Sequence, residues 1–359
     1  MTDSYKILIV DDSKLIRKAV SNIFKDQVNF QVVGEAGNGK EALELMPELN
    51  PDVVTLDINM PVMDGLTTLK HIMIKSPRPT VMLSSLTQEG SSVTFDALKY
   101  GAIDFIPKPS KTNGNSIGEQ EQNIIKKVKL AAEVEIESVR YIRSVQYIRS
   151  VPNEKSNKKP GGNECKNIFV IGASEGGYGA LLKIIPQIIP DFPAAFLVVI
   201  YADSKHVDAF ADYLDNHSLI KVRRAKNGEE IKGGVCYLCS GEEYATVHSL
   251  GDKYNLQVNP SPFTGRRGSI NMLMFSVAEV MGMRAAGVIL SGTGDDGAEG
   301  LAEIIRAGGT AVVQDPKSCL YKKMARSAIE VNKHALVVPD TRIASTISEL
   351  NIESAVDSF

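Results

Sequence analysis

The strongest constraint in this sequence is an alternation. Five apolar runs, KILIV (6–10), QVVGEA (31–36), DVVTLDI (52–58), TVMLSS (80–85) and AIDFIPKP (102–109), are separated by helix-patterned stretches such as KLIRKAVSNIF and KEALELMPEL. Apolar runs without strict alternation suit strands buried on both faces, and intervening helices suit parallel crossovers. Residues 1–109 are therefore predicted to form a (βα)5 parallel sheet. A second α/β pattern runs over 166–350. NIFVIGAS, AAFLVVIYA, IKVRRA, GGVCYLC, YNLQVN, AAGVILSG, TAVVQD and HALVVP read as strands, with GALLKIIPQII, SINMLMFSVAEVM and AEGLAEIIRAG as helices. This predicts a doubly wound, mainly parallel sheet with an antiparallel hairpin within 230–258. A chain of 359 residues has room for both cores.

Between the two patterns lies a different segment. Residues 110–163 hold ten Lys/Arg against six Asp/Glu, whereas the whole chain has a formal net charge of −3. The segment contains SVRYIR followed by SVQYIR, then the flexible PNEKSNKKPGGNE. It reads as a basic connector, either a solvated spacer helix or a recruiter of an acidic partner. The near-neutral total argues against wholesale nucleic-acid binding. Four Cys make no disulfide framework, and the N-terminus lacks the pattern of a signal peptide. No window approaches a membrane span. A cytoplasmic chain with no nucleic-acid partner and no membrane insertion is expected.

Chemistry-bearing residues gather at predicted strand ends. Asp11 and Asp12 end the first strand, Asp57 the third, Ser84 and Ser85 the fourth, and Lys108 the fifth. In a parallel sheet these ends share the edge where open α/β folds place their sites. Three carboxylates there need a hard divalent cation, and Mg²⁺ suits oxygen ligands. A carboxylate beside such a cation can attack phosphorus, with the lysine and a hydroxyl left to bind phosphoryl oxygens.

The second half carries Gly172-Ala173-Ser174-Glu175-Gly176 between a strand and a helix, the G-x-S-x-G pattern of an exposed nucleophilic serine. A glycine turn with a capping serine has the same pattern. In SGTGDDGAEG, Gly292, Gly294 and Gly297 satisfy G-x-G-x-x-G, with Asp315 further on. Read literally this is a dinucleotide fingerprint, but Asp295 and Asp296 would repel a pyrophosphate. One of them could instead orient a catalytic base beside Ser174. Cys236 and Cys239 form C-x-x-C within a predicted strand, where core packing is expected rather than zinc or redox chemistry.

Residues 1–109 resemble the response-regulator receiver domain. The resemblance implies that Asp57 accepts a phosphoryl group and that Asp11, Asp12, Asp57 and the backbone carbonyl of Asn59 bind Mg²⁺. It makes Ser84, Phe105 and Lys108 the switch residues. About 166–350, with IGASEGG, GVILSGTGDDGAEGL and AGGTAVVQDPKSC, resembles the catalytic domain of the chemotaxis protein-glutamate methylesterases, the CheB family. The implied layout is a receiver over 1–128, a basic linker over 129–164 and a methylesterase domain over 165–355. The implied activity is hydrolysis of glutamate methyl esters on chemoreceptors, and deamidation of their glutamines, under control of a histidine kinase as phosphodonor. No cofactor is implied for the C-terminal domain.

Carried over, Ser174 is the nucleophile and Asp296 orients the base, but Tyr201 stands where that base, a histidine, is expected. A phenol with an ordinary pKa near ~10 is a poor proton acceptor at neutral pH. Glu175, Thr293, Asn271 and Tyr244 also depart from the family pattern. Of the five histidines, His71, His206, His217, His248 and His334, only His206 follows Tyr201 closely enough to substitute. It is expected in a polar surface loop. The competing reading is a catalytically impaired regulatory protein of the same fold.

Overall fold

The computed structural model describes residues 4–84, 92–109, 116–135, 164–190, 192–202, 204–260 and 268–350. The first unit contains β1 (Tyr5–Val10), α1 (Lys14–Lys25), β2 (Phe30–Ala36), α2 (Gly39–Leu49), β3 (Val53–Asp57), α3 (Gly65–Lys75), β4 (Thr80–Ser84), α4 (Ser92–Lys99), β5 (Asp104–Pro107) and α5 (Ile117–Ala132). Its strands pair in parallel in the order β2-β1-β3-β4-β5. Every residue of β3 and β4 is buried, as strands covered on both faces require. Ser13, Asn38 and Asp64 cap α1, α2 and α3 through their side-chain oxygens, so each helix starts directly after a strand-end loop.

The second unit begins with β6 (Asn167–Ala173), α6 (Gly177–Ile184), β7 (Ala194–Ile200), α7 (Ser204–His217), β8 (Lys221–Arg224), β9 (Glu229–Glu230), β10 (Val235–Ser240), β11 (Glu243–Leu250) and β12 (Lys253–Pro260). It continues with α8 (Ser269–Met281), β13 (Ala285–Ile289), α9 (Ala298–Arg306), β14 (Thr310–Gln314), α10 (Lys323–Val331), β15 (Leu336–Val338) and α11 (Asp340–Glu349). Seven strands pair in the order β15-β14-β13-β6-β7-β10-β8, all in parallel. A small antiparallel sheet, β11-β12-β9, carries the expected hairpin. Phe169 and Phe196 are fully buried and stack at 5.4 Å between ring centroids. Among the described residues, no helix is long and apolar enough to cross a membrane. The expected polar loop around His206 is instead the first turn of α7, where Val207, Phe210, Ala211 and Leu214 face the core. The SVRYIR/SVQYIR repeat and Ser85 lie outside the described residues.

One glycine fixes the geometry of the first site. Gly65 opens α3 and donates its N–H to Ile58 O at 2.8 Å, folding the loop back onto the end of β3. A Cβ on Gly65 would stand 2.0 Å from the carbonyl oxygen of Asp57. Gly65→Ala is therefore expected to destabilise the first unit by about 2 kcal/mol, a typical overpacking cost. Urea unfolding of the full chain should show that unit's midpoint lowered by roughly 1 M.

Candidate functional sites

In the first unit the predicted strand-end cluster assembles. Asp11 and Asp57 are buried, Asp12 is exposed, and one carboxylate oxygen from each lies within 4.8 Å of the others. Lys108 Nζ reaches Asp11 Oδ2 at 2.8 Å and Asp57 Oδ1 at 2.9 Å. The Lys108 N–H donates to Ser84 O at 2.8 Å, which holds the lysine at the end of the sheet. Ser84 Oγ is buried and has no hydrogen-bond partner among the described residues. A buried hydroxyl left unpaired is costly, and it marks a place where a further oxygen can enter. Phe105 is buried, with Lys127 Nζ 5.2 Å from its ring centroid.

Burial pushes the Asp57 carboxyl above its ordinary 3.8, against the opposing pull of Lys108 and the Asn59 N–H, while Asp11 adds to the rise. Burial also pulls Lys108 down, but its two carboxylate partners outweigh this and hold it above its ordinary range. The lysine is thus a firm cation, and the three carboxylates still exceed it in charge. Hard oxygen donors this close, carrying excess negative charge, fit Mg²⁺.

In the second unit Ser174 follows β6 and is buried. Gly176 (φ +77°) takes the left-handed conformation, which lets the chain turn sharply from Ser174 into α6. Ser174 O accepts the Gly177 N–H at 2.8 Å, and the Ser174 N–H donates to Ser291 O at 3.2 Å. This joins the serine turn to the loop after β13.

The proton relay expected around Ser174 is divided. The Tyr201 hydroxyl donates to Asp296 Oδ2. It also accepts the Ser269 N–H at 3.4 Å. Asp296 accepts the Ile270 N–H at 2.8 Å and the Asn271 N–H at 3.1 Å, capping α8. Burial, then the charge and hydrogen bond of Asp296, push the Tyr201 phenol far above its ordinary 10. Tyr201 therefore holds its proton toward Asp296. Ser174 Oγ donates to Glu175 Oε2, and Thr293 Oγ1 donates to that same oxygen at 2.6 Å. His206 sits half-buried in α7.

The glycine loop is filled by the protein itself. Asn271 Oδ1 accepts the Gly297 N–H at 2.9 Å and the Gly300 N–H at 2.7 Å, occupying amides that a pyrophosphate would need. Cys236 and Cys239 are fully buried on β10, three residues apart and so on opposite faces. Burial pushes the Cys239 thiol up to about 12. The Glu175–Thr293 contact was not foreseen from the sequence. Both residues depart from the family pattern, but they stand 118 positions apart.

Known proteins resemble this chain over nearly its whole length. The family described as CheB methylesterase matches residues 169–347, and the response regulator receiver domain matches residues 7–114. A protein-glutamate methylesterase/protein-glutamine glutaminase of Pyrococcus abyssi is 38% identical over 348 residues, covering 95% of this chain and 92% of that one. A protein of the same name from Caldanaerobacter subterraneus is 35% identical over 354 residues, covering 97% and 96%. The crystal structure of the Thermotoga maritima CheB methylesterase catalytic domain matches with a TM-score of 0.50 at 30% identity. The match covers 51% of this chain and 98% of that one.

Two stability outcomes follow from these contacts. Tyr201→Phe removes a hydrogen bond to a buried carboxylate and should cost the second unit about 1.5–3 kcal/mol. Calorimetry of the full chain would show it. Because the folded pKa of Asp57 is raised, its contribution to stability falls as pH rises above 3.8 through the raised value. Asp57→Asn should then melt higher than the parent at pH 7, with the advantage fading as pH falls toward 3.8 in paired melting curves.

Proposed function

Because this chain belongs to the CheB methylesterase family and carries a receiver domain ahead of the methylesterase domain, we propose that it is a chemotaxis response regulator with a serine hydrolase output. Phosphorylation of Asp57 controls a domain in which Ser174 hydrolyses glutamate methyl esters on chemoreceptors, with receptor glutamines as a second substrate class. The observation that carries this reading is Ser174 itself. It is a buried hydroxyl on a sharp strand-to-helix turn whose proton already points at an acceptor. The receiver spans 1–128, the basic linker 129–164 and the methylesterase domain 165–355, and the protein works in the cytoplasm.

In the receiver, Asp11, Asp12, Asp57 and the Asn59 carbonyl would hold Mg²⁺, which supplies charge neutralisation for the incoming phosphoryl group. Asp57 is the acceptor. Lys108 passes from pairing the Asp57 carboxylate to pairing a phosphoryl oxygen, and the Ser84 hydroxyl, without a partner among the described residues, donates to another. Phe105 is the aromatic switch. A chemotaxis histidine kinase is the phosphodonor.

A second reading has its own support in the Tyr201–Asp296 bond, which leaves no histidine between nucleophile and acid. Under it the domain binds receptors or the kinase without turnover. Receptor-bearing membranes carrying labelled methyl esters separate the two. With Mg²⁺ and a small phosphodonor, the full chain should release labelled methanol, Ser174→Ala should release none, and Asp57→Asn should lose the response to phosphodonor. Chelating Mg²⁺ should abolish phosphate incorporation. Release seen only after Tyr201→His would establish the second reading in its place.

A further inference from the structure

We propose that Glu175 is the general base of this hydrolase and takes the place of the missing histidine, an inference that rests on the hydrolase reading of Ser174. Three observations converge on it. The Ser174 hydroxyl donates to Glu175 Oε2, so the reacting proton is already shared with this carboxylate. The Thr293 hydroxyl donates to the same oxygen at 2.6 Å and fixes the carboxylate from the neighbouring loop. The usual route is closed, because the Tyr201 proton is committed to Asp296 and Asp296 to the amides of α8.

The step balances with ester and water alone. As the Ser174 Oγ–carbon bond forms, the Oγ proton passes to Glu175 Oε2 and the carbonyl oxygen takes the electron pair. On collapse the carbon–methoxy bond breaks, and Glu175 returns the proton to the departing oxygen, releasing methanol. A water then attacks the acyl-serine, giving its proton to Glu175. The second collapse breaks the Oγ–carbon bond and Glu175 reprotonates Ser174, leaving a glutamic acid side chain.

A carboxylate beside an oxyanion would ordinarily oppose it. Here the two negative charges never coexist, because Glu175 is neutral once the oxyanion has formed. Charge moves from Glu175 to the carbonyl oxygen and is not added. The cost falls on rate: a carboxylate of ordinary pKa near ~4.3 is a weaker base than an imidazole near ~6.5.

An organophosphonate probe that labels activated serines tests this in the full chain, with labelling at Ser174 followed by mass spectrometry and no receptor needed. Glu175→Gln keeps the shape and removes the base, and should slow labelling by about 10²–10⁴-fold. Glu175→Ser, with melting curves confirming that both variants fold, should do the same. Labelling of either folded variant at the parent rate or faster would make Glu175 an obstruction and overturn the proposal, as would failure of the parent itself to label. Methanol release that needs Ser174 but not Glu175 would overturn the base and leave the hydrolase reading standing. Glu175-dependent labelling without methanol release would keep the base and remove the receptor-ester reading.

Discussion

The Asp296 carboxylate decides the rest of the second site. Its two oxygens accept the first-turn amides of α8 at Ile270 and Asn271, where the helix dipole also favours a negative charge. Asn271, on that same turn, accepts the amides of Gly297 and Gly300 at the start of α9. Each helix thus satisfies the orphan donors of the other, and the two loops are locked in one register. Within this lock Asp296 has one strong partner left to choose, and it takes the Tyr201 hydroxyl. A phenol donates one proton and ends the chain there. An imidazole would have passed the relay on to the serine through its second nitrogen.

Both units hold a carboxylate at a strand end, each with different donors. At the end of β3, burial raises Asp57 while Lys108 holds it back. At the end of β6, two hydroxyls surround Glu175 Oε2. The first arrangement pairs charge with charge. The second sets two hydroxyl donors on one carboxylate oxygen.

The receiver was legible almost entirely from the sequence, because its site residues sit at the ends of strands that are themselves conspicuous apolar runs. The second unit was legible where strands and glycine turns carry the signal, and less so elsewhere. In α7 the anchors Val207, Phe210, Ala211 and Leu214 have helical spacing, but the polar DSKH opening hid them. In α10 the buried set is Met324, Ala325 and Ala328, too small to stand out. In α11, Ile343, Ala344 and Ile347 are diluted by Ser and Thr, which lower helix propensity. β11 alternates weakly and gains its strand character from pairing with β12. The sequence placed Ser174 and Asp296 at one sheet edge, and β6 does lie beside β13. It did not show which side chain meets which across that edge, since this depends on loop geometry at Gly176 and on the choice made by Asp296.

Four of the departures from the family pattern, Tyr201, Asn271, Glu175 and Thr293, fall into two bonded groups. Tyr201, Asn271 and Asp296 are joined through the start of α8, and Glu175, Thr293 and Ser174 through the start of α6. Glu175 brings a carboxylate to Ser174 and Thr293 brings a donor to that carboxylate, each from one of the loops that the Ser174–Ser291 contact joins. A surface carboxylate would gain nothing from such an arrangement, because water already satisfies it. A carboxylate turned onto a buried hydroxyl loses solvation, and the hydroxyls of Ser174 and Thr293 offset that loss in the ground state.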